Sequence, residues 1–233
     1  PAVLELGGKN PMIVLPDADL DRAAFDAVDG CFGNSGQVCS SSSRILLHST
    51  IRDSFLDRLS AHAAKLSVRA GLDDGDLGPL VSDEQYKKVM SYLEAGKASG
   101  ARLRLGGGRP KDLNRGYFVA PTIFDRVAPE ASIAREEIFG PVAVAVDFDS
   151  EEQAVALANG LGYGLVAGIY SRDITRALGL AQRIEAGSIW INGWFIGGVQ
   201  APTGGIKDSG IGRERGLPGI RNYLSIKNIG IRL

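Results

Sequence analysis

Residues 33 to 44 read GNSGQVCSSSSR, and Cys39 in this run is one of two cysteines in the chain. A cysteine among small and polar residues is either an inert small hydrophobe or, as its thiolate, a nucleophile. A cysteine hydrolase needs an imidazole to take the thiol proton. Only His48, ending a strand-like run, and His62, on an amphipathic helical pattern, are on offer. Two cysteines and two histidines also raise the question of zinc. The spacings C-x7-C, C-x8-H and H-x13-H match no compact zinc module, so no metal is expected.

Two further runs carry chemistry-capable groups. In LELGGKNP (4 to 11), Glu5 lies between two leucines and Gly7-Gly8 follow. This is either a strand-end carboxylate with turn glycines, or a partly buried carboxylate of raised pKa beside a backbone that a ligand can approach closely. Such a carboxylate can act as a general base near neutral pH. In EEIFGPV (136 to 142), two acids precede an aromatic and a Gly-Pro turn. That is either a helix end entering a strand, or a carboxylate for ribose hydroxyls beside the flat wall of Phe139. No nucleotide fingerprint of the usual kind is present. GIGRERG is one residue off the dinucleotide pattern, and LGGGRP lacks the Gly-Lys-Ser/Thr ending of a phosphate loop.

Alternating strand-like and helix-like runs must position these groups. NPMIVL, SRILLH, PVAVAVDF, LVAGIY and SIWIN read as strands, and PVAVAVDF is apolar enough to be covered on both faces. RLRLGG and YFVAPTIF are further strand candidates. Asp17 or Asp19 can cap a helix that buries Ala23, Ala24, Ala27, Val28 and Cys31, and GNSG stops it. Thr50 opens a helix with Ile51, Phe55, Leu59, Ala63 and Leu66 on one face. SDEQ (82 to 85) and SEEQ (150 to 153) have the capping-box form, and the first opens a helix to about Ser99. DITRALGLAQRIEAG reads as a helix ending at Gly187. The alternation predicts an α/β fold, a mostly parallel sheet flanked by helices. From 193 to 222 the chain is glycine-rich and aperiodic, and YLSIKNIGIRL then alternates like an exposed strand that invites pairing with another subunit.

The length, 233 residues, allows one large core or two smaller ones. A net charge of −1 leaves no electrostatic footprint for nucleic acid or an anionic membrane. The longest apolar run, GPVAVAV, is too short to span a bilayer. With no signal peptide the cytoplasm is expected. The first residue is Pro1 rather than Met, which suggests that something has been removed ahead of it.

LELGGKNP, GNSGQVC, EEIFGPV, PTGGIKDSGIGRERG and NYLSIKNI resemble, in order and rough spacing, motifs of the NAD(P)-dependent aldehyde dehydrogenases. The resemblance covers essentially the whole chain and corresponds to the C-terminal half of a usual family member. It implies that Cys39 is the nucleophile, its backbone N–H is half of an oxyanion hole, and Glu5 is the base that hydrolyses a thioester. It assigns Glu137, Phe139, the Leu6 carbonyl, Gln85 and Lys88 to an NAD or NADP cofactor. Trp194, Phe195 and Ile196 fall on the substrate loop, although a buried anchor for that loop is an equal reading. The implied divisions are 1–6, the end of a dinucleotide-binding domain; 7–207, the catalytic domain; and 208–233, a return segment with an oligomerisation strand. The implied partners are an aldehyde and further copies, as a homodimer or homotetramer. Ser41 and Ser42 depart from the family's small residue and glycine after the cysteine, and serine is expected to fit. Alone, such a chain is expected to be a weak or inactive dehydrogenase. Two rival readings remain: a non-catalytic domain retaining the fold, and an NAD-independent thiol esterase.

Overall fold

The strand-like runs alternate between two buried faces, so the sheet must be covered on both sides. The computed structural model describes residues 2–233; Pro1, in the predicted 1–6 segment, lies outside the described residues. In chain order the elements are β1 (Leu4–Glu5), β2 (Pro11–Val14), α1 (Leu20–Phe32), β3 (Arg44–His48), α2 (Arg52–Ala63) and α3 (Asp83–Ala98). Next come β4 (Arg102–Leu105), β5 (Thr122–Asp125), α4 (Ser132–Arg135), β6 (Val142–Phe148) and α5 (Glu151–Asn159). The last are β7 (Tyr163–Gly164), β8 (Val166–Tyr170), α6 (Ile174–Ala181), β9 (Ser188–Ile191), β10 (Ile206–Lys207), β11 (Gly210–Ile211) and α7 (Gly216–Arg221).

Seven strands form one sheet in the order β4-β5-β6-β3-β2-β8-β9. Every pairing in it is parallel except β4 with β5. Met12, Val14, Ile45, Leu47, Ala143 and Ala145 face one core, shared with residues of α1 and α2. Their neighbours Ile13, Leu46, Val142, Val144 and Val146 face the other, shared with α3 to α6. This two-residue period is what a strand between two helical layers requires.

Asp19, Ser82 and Ser150 cap their helices as read. The helix read from Thr50 instead begins at Arg52, after a turn that the His48 side chain caps. Gln153 accepts from the Asp149 N–H instead of closing its capping box. Asp19 accepts from the Arg22 N–H at the start of α1. Asp17 instead accepts from Ser171 Oγ and the N–H groups of Arg172 and Asp173, joining β2 to the start of α6. Ser82 and Ser150 cap α3 and α5. Two further expectations need correction. The helix predicted to reach Gly187 ends at Ala181, because the Asn159 side chain captures the Arg183 carbonyl and the Glu185 N–H. The strand predicted over YFVAPTIF begins only at Thr122, since Pro121 has no N–H to give a ladder. The tail from Tyr223 to Leu233 forms no strand; its apolar side chains, Ile226 and Leu233 among them, are exposed. A strand needs an edge to bond to, and the tail pairs with none in this chain. The aperiodic stretch before it contributes β10, paired with β7, and β11, paired with β1.

No helix among the described residues is long and apolar enough to cross a membrane. Leu46, fully buried at the sheet centre, tests the layered core. Leu46→Ala is expected to cost about 2–5 kcal/mol by urea unfolding, through a lower midpoint at unchanged slope. A loss below about 1 kcal/mol would mean that the site is not packed as described.

Candidate functional site

The segments that enter the parallel strands carry the candidate residues. Four residues separate Cys39 from Arg44, where β3 begins, and Glu5 lies just ahead of β2. Glu137 and Phe139 precede β6, while Leu165 directly precedes β8 and Val166 begins it. In-register pairs such as Pro11–Arg44 and Arg44–Val144 hold these starts level. The chemistry-bearing groups therefore gather at the amino-terminal rim of the sheet.

Glu5 and Cys39 line one cleft of about 480 Å³. Its walls include Leu165, Val166, Trp190, Phe195, Ile196, Thr203, Glu214 and Arg215. Cys39 is exposed, whereas Cys31 is buried. Burial pushes the Cys31 thiol up to about 12; it packs against Ser42 and donates to the Ser42 carbonyl at 2.9 Å. Ser42, where the family pattern has glycine, is seated against Gly30 of α1, and a side chain on Gly30 would overlap the Ser42 hydroxyl. The serine fits because the helix opposite it lacks a side chain.

One buried amide fixes the Cys39 loop. Asn10 Nδ2 donates to the carbonyls of Cys39 and Ser41, each at 2.8 Å. Asn10 Oδ1 accepts from the Val166 N–H at 3.1 Å. Asn10 is 2% exposed, so water does not compete for these bonds. Sequence reasoning passed over it. A polar residue directly before an apolar strand was the available signal.

Glu5 is held by the short β1–β11 ladder, which pairs it with Gly210. Ser209 braces the same segment, accepting from the Leu6 N–H through its carbonyl and donating from its hydroxyl to the Gly7 carbonyl. Burial raises the Glu5 pKa from its ordinary value, and the charge of Glu214 adds to this; the charge of Arg213 and a backbone hydrogen bond from Gly205 oppose it. Glu214 is a second residue that the sequence reading missed, hidden in the glycine-rich stretch.

Glu137 and Phe139 do not line this cleft, but they connect to it. Glu137 Oε1 accepts from the Gly8 N–H at 3.0 Å, and a side chain at Gly7 would overlap its other oxygen. Gly36, at φ +70°, lies so close to the Gly140 carbonyl that no β-carbon fits between them. The nucleophile loop and the Glu137–Phe139 loop thus touch through backbone. Phe139 itself has φ +58°, a costly conformation for an aromatic residue. The Gln85 side chain holds it there, donating from Nε2 to the carbonyls of Ile138 at 2.9 Å and Phe139 at 2.8 Å. Gln85 therefore does not reach back to complete the predicted capping box, and its amide nitrogen is occupied by this loop. Lys88 is exposed on α3, away from the cleft. Leu6, directly after β1, has an exposed side chain.

The three substrate-loop residues separate. Phe195 and Ile196 line the cleft. Trp194 is 7% exposed and donates from Nε1 to the Ser40 carbonyl at 3.1 Å. It stacks edge-on against Trp190, 5.1 Å between centroids, and is the anchor of its loop rather than a wall of the cleft. No group of three or more metal-ligating side chains occurs among the described residues.

The family model for the aldehyde dehydrogenase family matches residues 1–229. The chain is similar to betaine aldehyde dehydrogenase 1 of Oryza sativa subsp. japonica, 46% identical over 98% of this chain and 46% of the relative. It is similar to the peroxisomal aminoaldehyde dehydrogenase 1 of Pisum sativum, 45% identical over 98% of this chain and 46% of the relative. Among solved structures it superposes on betaine aldehyde dehydrogenase from Staphylococcus aureus in complex with NAD+, with TM-score 0.92 and 42% identity, covering 96% of this chain and 45% of that one. An NAD+ complex of aldehyde dehydrogenase from Bacillus cereus gives TM-score 0.92 at 42% identity, covering 97% and 46%. The chain spans about half the length of the curated relatives it matches.

Two outcomes test this geometry. Iodoacetamide at neutral pH is expected to label Cys39 well before Cys31 by peptide mass spectrometry; equal rates would mean that Cys31 is not sealed behind Ser42. Asn10→Ala is expected to cost about 2 kcal/mol or more by denaturant unfolding, because it strands two carbonyls and one N–H, and to change the Cys39 labelling rate.

Proposed function

The chain belongs to the aldehyde dehydrogenase family, and from that premise we propose that it oxidises an aldehyde to a carboxylic acid, with Cys39 as nucleophile and Glu5 as base. The supporting observation is the shared cleft: an exposed thiol and a carboxylate of raised pKa, separated by 34 positions in sequence, line one wall-to-wall space. The Cys39 thiolate attacks the aldehyde carbon, and its backbone N–H supports the oxyanion that forms. The adduct is a thiohemiacetal, which becomes a Cys39 thioester only by giving up hydride to a bound acceptor. Glu5 takes a proton from the water that then cleaves the thioester. Its raised pKa makes its carboxylate a stronger base toward that water than an ordinary glutamate.

Cofactor placement follows the same resemblance. Glu137 has one carboxylate oxygen not bound by Gly8, and Phe139 beside it is held by Gln85, an arrangement that fits a ribose and a flat ring. A nicotinamide dinucleotide held by Glu137, Phe139 and the Leu6 carbonyl, with Lys88 further out, supplies the hydride acceptor when bound. NAD is the form in the solved relatives named above. Gln85 acts by holding the Phe139 loop rather than by touching the cofactor.

Phe195, Ile196 and Trp190 give the aldehyde an apolar wall, and the lining also holds two carboxylates, Glu5 and Glu214, against one cation, Arg215. A small aldehyde with a cationic end, as the names of the plant relatives imply for those proteins, suits that lining. Residues 7–207 form the catalytic unit in this reading, residues 1–6 the edge of the cofactor-binding part, and 208–233 the return and assembly segment. The exposed alternation of Ile229, Ile231 and Leu233 fits a strand that pairs with another copy, in a homodimer or homotetramer.

Kinetics of the natural polypeptide carrying this segment test the roles. Cys39→Ala is expected to abolish NADH formation from aldehyde. Glu5→Gln is expected to retain a first burst and then turn over about 10²–10⁴-fold more slowly. Steady NADH output from Cys39→Ala would overturn the assignment, and ester turnover with no NADH from the wild type would favour the esterase reading. Because the Glu214 charge raises the Glu5 pKa, Glu214→Gln lowers it. The acid limb of the rate profile is then expected to move to lower pH. An unmoved limb would remove Glu5 as the group that titrates.

A further inference from the structure

Two carboxylates stand side by side at 136 and 137, and one face of α3 lies along the loop that carries them. Tyr92 donates from its hydroxyl to Glu136 Oε2 at 2.6 Å. Gln85 donates to the Ile138 and Phe139 carbonyls. Val89 packs on Gly140 so closely that a β-carbon there would lie 2.5 Å from Val89 Cγ2. Spacings of four and three put Gln85, Val89 and Tyr92 on one helical face. Of the three, only Tyr92 bonds a carboxylate.

The backbone at Glu136 is extended, with φ −103° and ψ 149°, and successive side chains of extended backbone point to opposite sides. Glu136 accordingly meets α3, while Glu137 meets the Gly7–Gly8 turn. The Glu137 carboxylate makes one hydrogen bond among the described residues, from the Gly8 N–H at 3.0 Å. A single bond is a weak selector between two neighbouring groups of the same chemistry. The Tyr92 hydroxyl supplies the second condition by engaging Glu136. Burial first, and Glu136 second, push that hydroxyl up to about 12, so it remains a donor at any ordinary pH. The other end of the loop is fixed as well, because Gly140 sits between Val89 and Gly36. A slip that exchanged the two acids would fall on Phe139, which already holds φ +58°.

We propose that Tyr92 is a positioning residue, which holds Glu136 on α3 and so assigns the cofactor-facing place to Glu137. The proposal rests on the reading of Glu137 as the ribose carboxylate. Glu136 is exposed and Tyr92 half-buried, so removing the pair is expected to loosen the loop without unfolding the chain.

The test uses the natural polypeptide carrying this segment, with NAD as the probe. Tyr92→Phe is expected to raise the KM and the dissociation constant for NAD about 3- to 10-fold, with the KM for aldehyde unchanged. Glu136→Ala is expected to do the same. Glu136→Gln keeps an acceptor for the hydroxyl and is expected to stay within about twofold of wild type. The double variant Tyr92→Phe/Glu136→Ala is expected to be no worse than either single, because both remove one bond. In parallel, hydrogen exchange at the Gly8 N–H is expected to quicken in Tyr92→Phe and not in Glu136→Gln. An NAD KM in Tyr92→Phe equal to that of wild type, even with a lowered melting temperature, would overturn the proposal, as would additive effects in the double variant. If the wild type forms no complex with NAD, the reading of Glu137 fails instead. Gly8 exchange then decides alone, and a rate unchanged by Tyr92→Phe would remove the positioning role.

Discussion

The side-chain amide of Asn10 is the interaction on which the rest of the site depends. It ties three segments that are distant in sequence: the entry to β2, the turn that carries Cys39, and the first residue of β8. Each bond satisfies a backbone group that has no ladder partner at that point. In a buried setting an unmet donor or acceptor costs more than a met one contributes. The amide therefore fixes the turn mainly by making other arrangements costly. A carboxylate of the same shape could not replace it, because two of the three bonds need a donor.

That clamp explains why the cleft forms where it does. Open parallel sheets commonly bind ligands beyond the carboxyl ends of their strands. Here the candidate groups lie on segments that lead into the strands, at the opposite rim. Parallel pairing in register sets the starts of β2, β3, β6 and β8 side by side, so short lead-in segments meet without long excursions. The backbone contact of Gly36 with Gly140 and the bond from Gly8 to Glu137 complete the ring of lead-ins. The strain at Phe139 is sustained by Gln85, a residue on a helix otherwise remote from the thiol.

Much of this scaffold was legible because its signals are local. Ser82, Ser150 and Asp19 satisfy the N–H three residues ahead, and that relation can be read directly from spacing. The alternation of Val142 to Val146 reports both covered faces for the same reason. The misses are long-range. Nothing near Ala181 says that Asn159 will capture the following turn. Glu214 gains meaning only through its charge beside Glu5, 209 positions away in sequence, and Asn10 only through partners 29 to 156 positions off. Cys39 and Glu5 were legible by motif, yet their shared cleft follows from the register of strands that no motif encodes. Trp194 was ambiguous because an aromatic anchor and an aromatic wall look alike in sequence; the indole bond to Ser40 separates them.

The two rims of the sheet have different duties. Segments leaving the carboxyl ends of β2, β6 and β8 hold helix starts through Asp17, Ser150 and Asp173 and contribute nothing to the cleft. The run after β9 is the exception, because it folds back to place Phe195 and Ile196. For anyone modifying this molecule, the far rim is a place to graft: a loop lengthened after Phe148, kept outside the Ser150 cap, changes the outline of the protein on the side its chemistry does not use. A change of equal size between Gly33 and Arg44 would move the thiol itself.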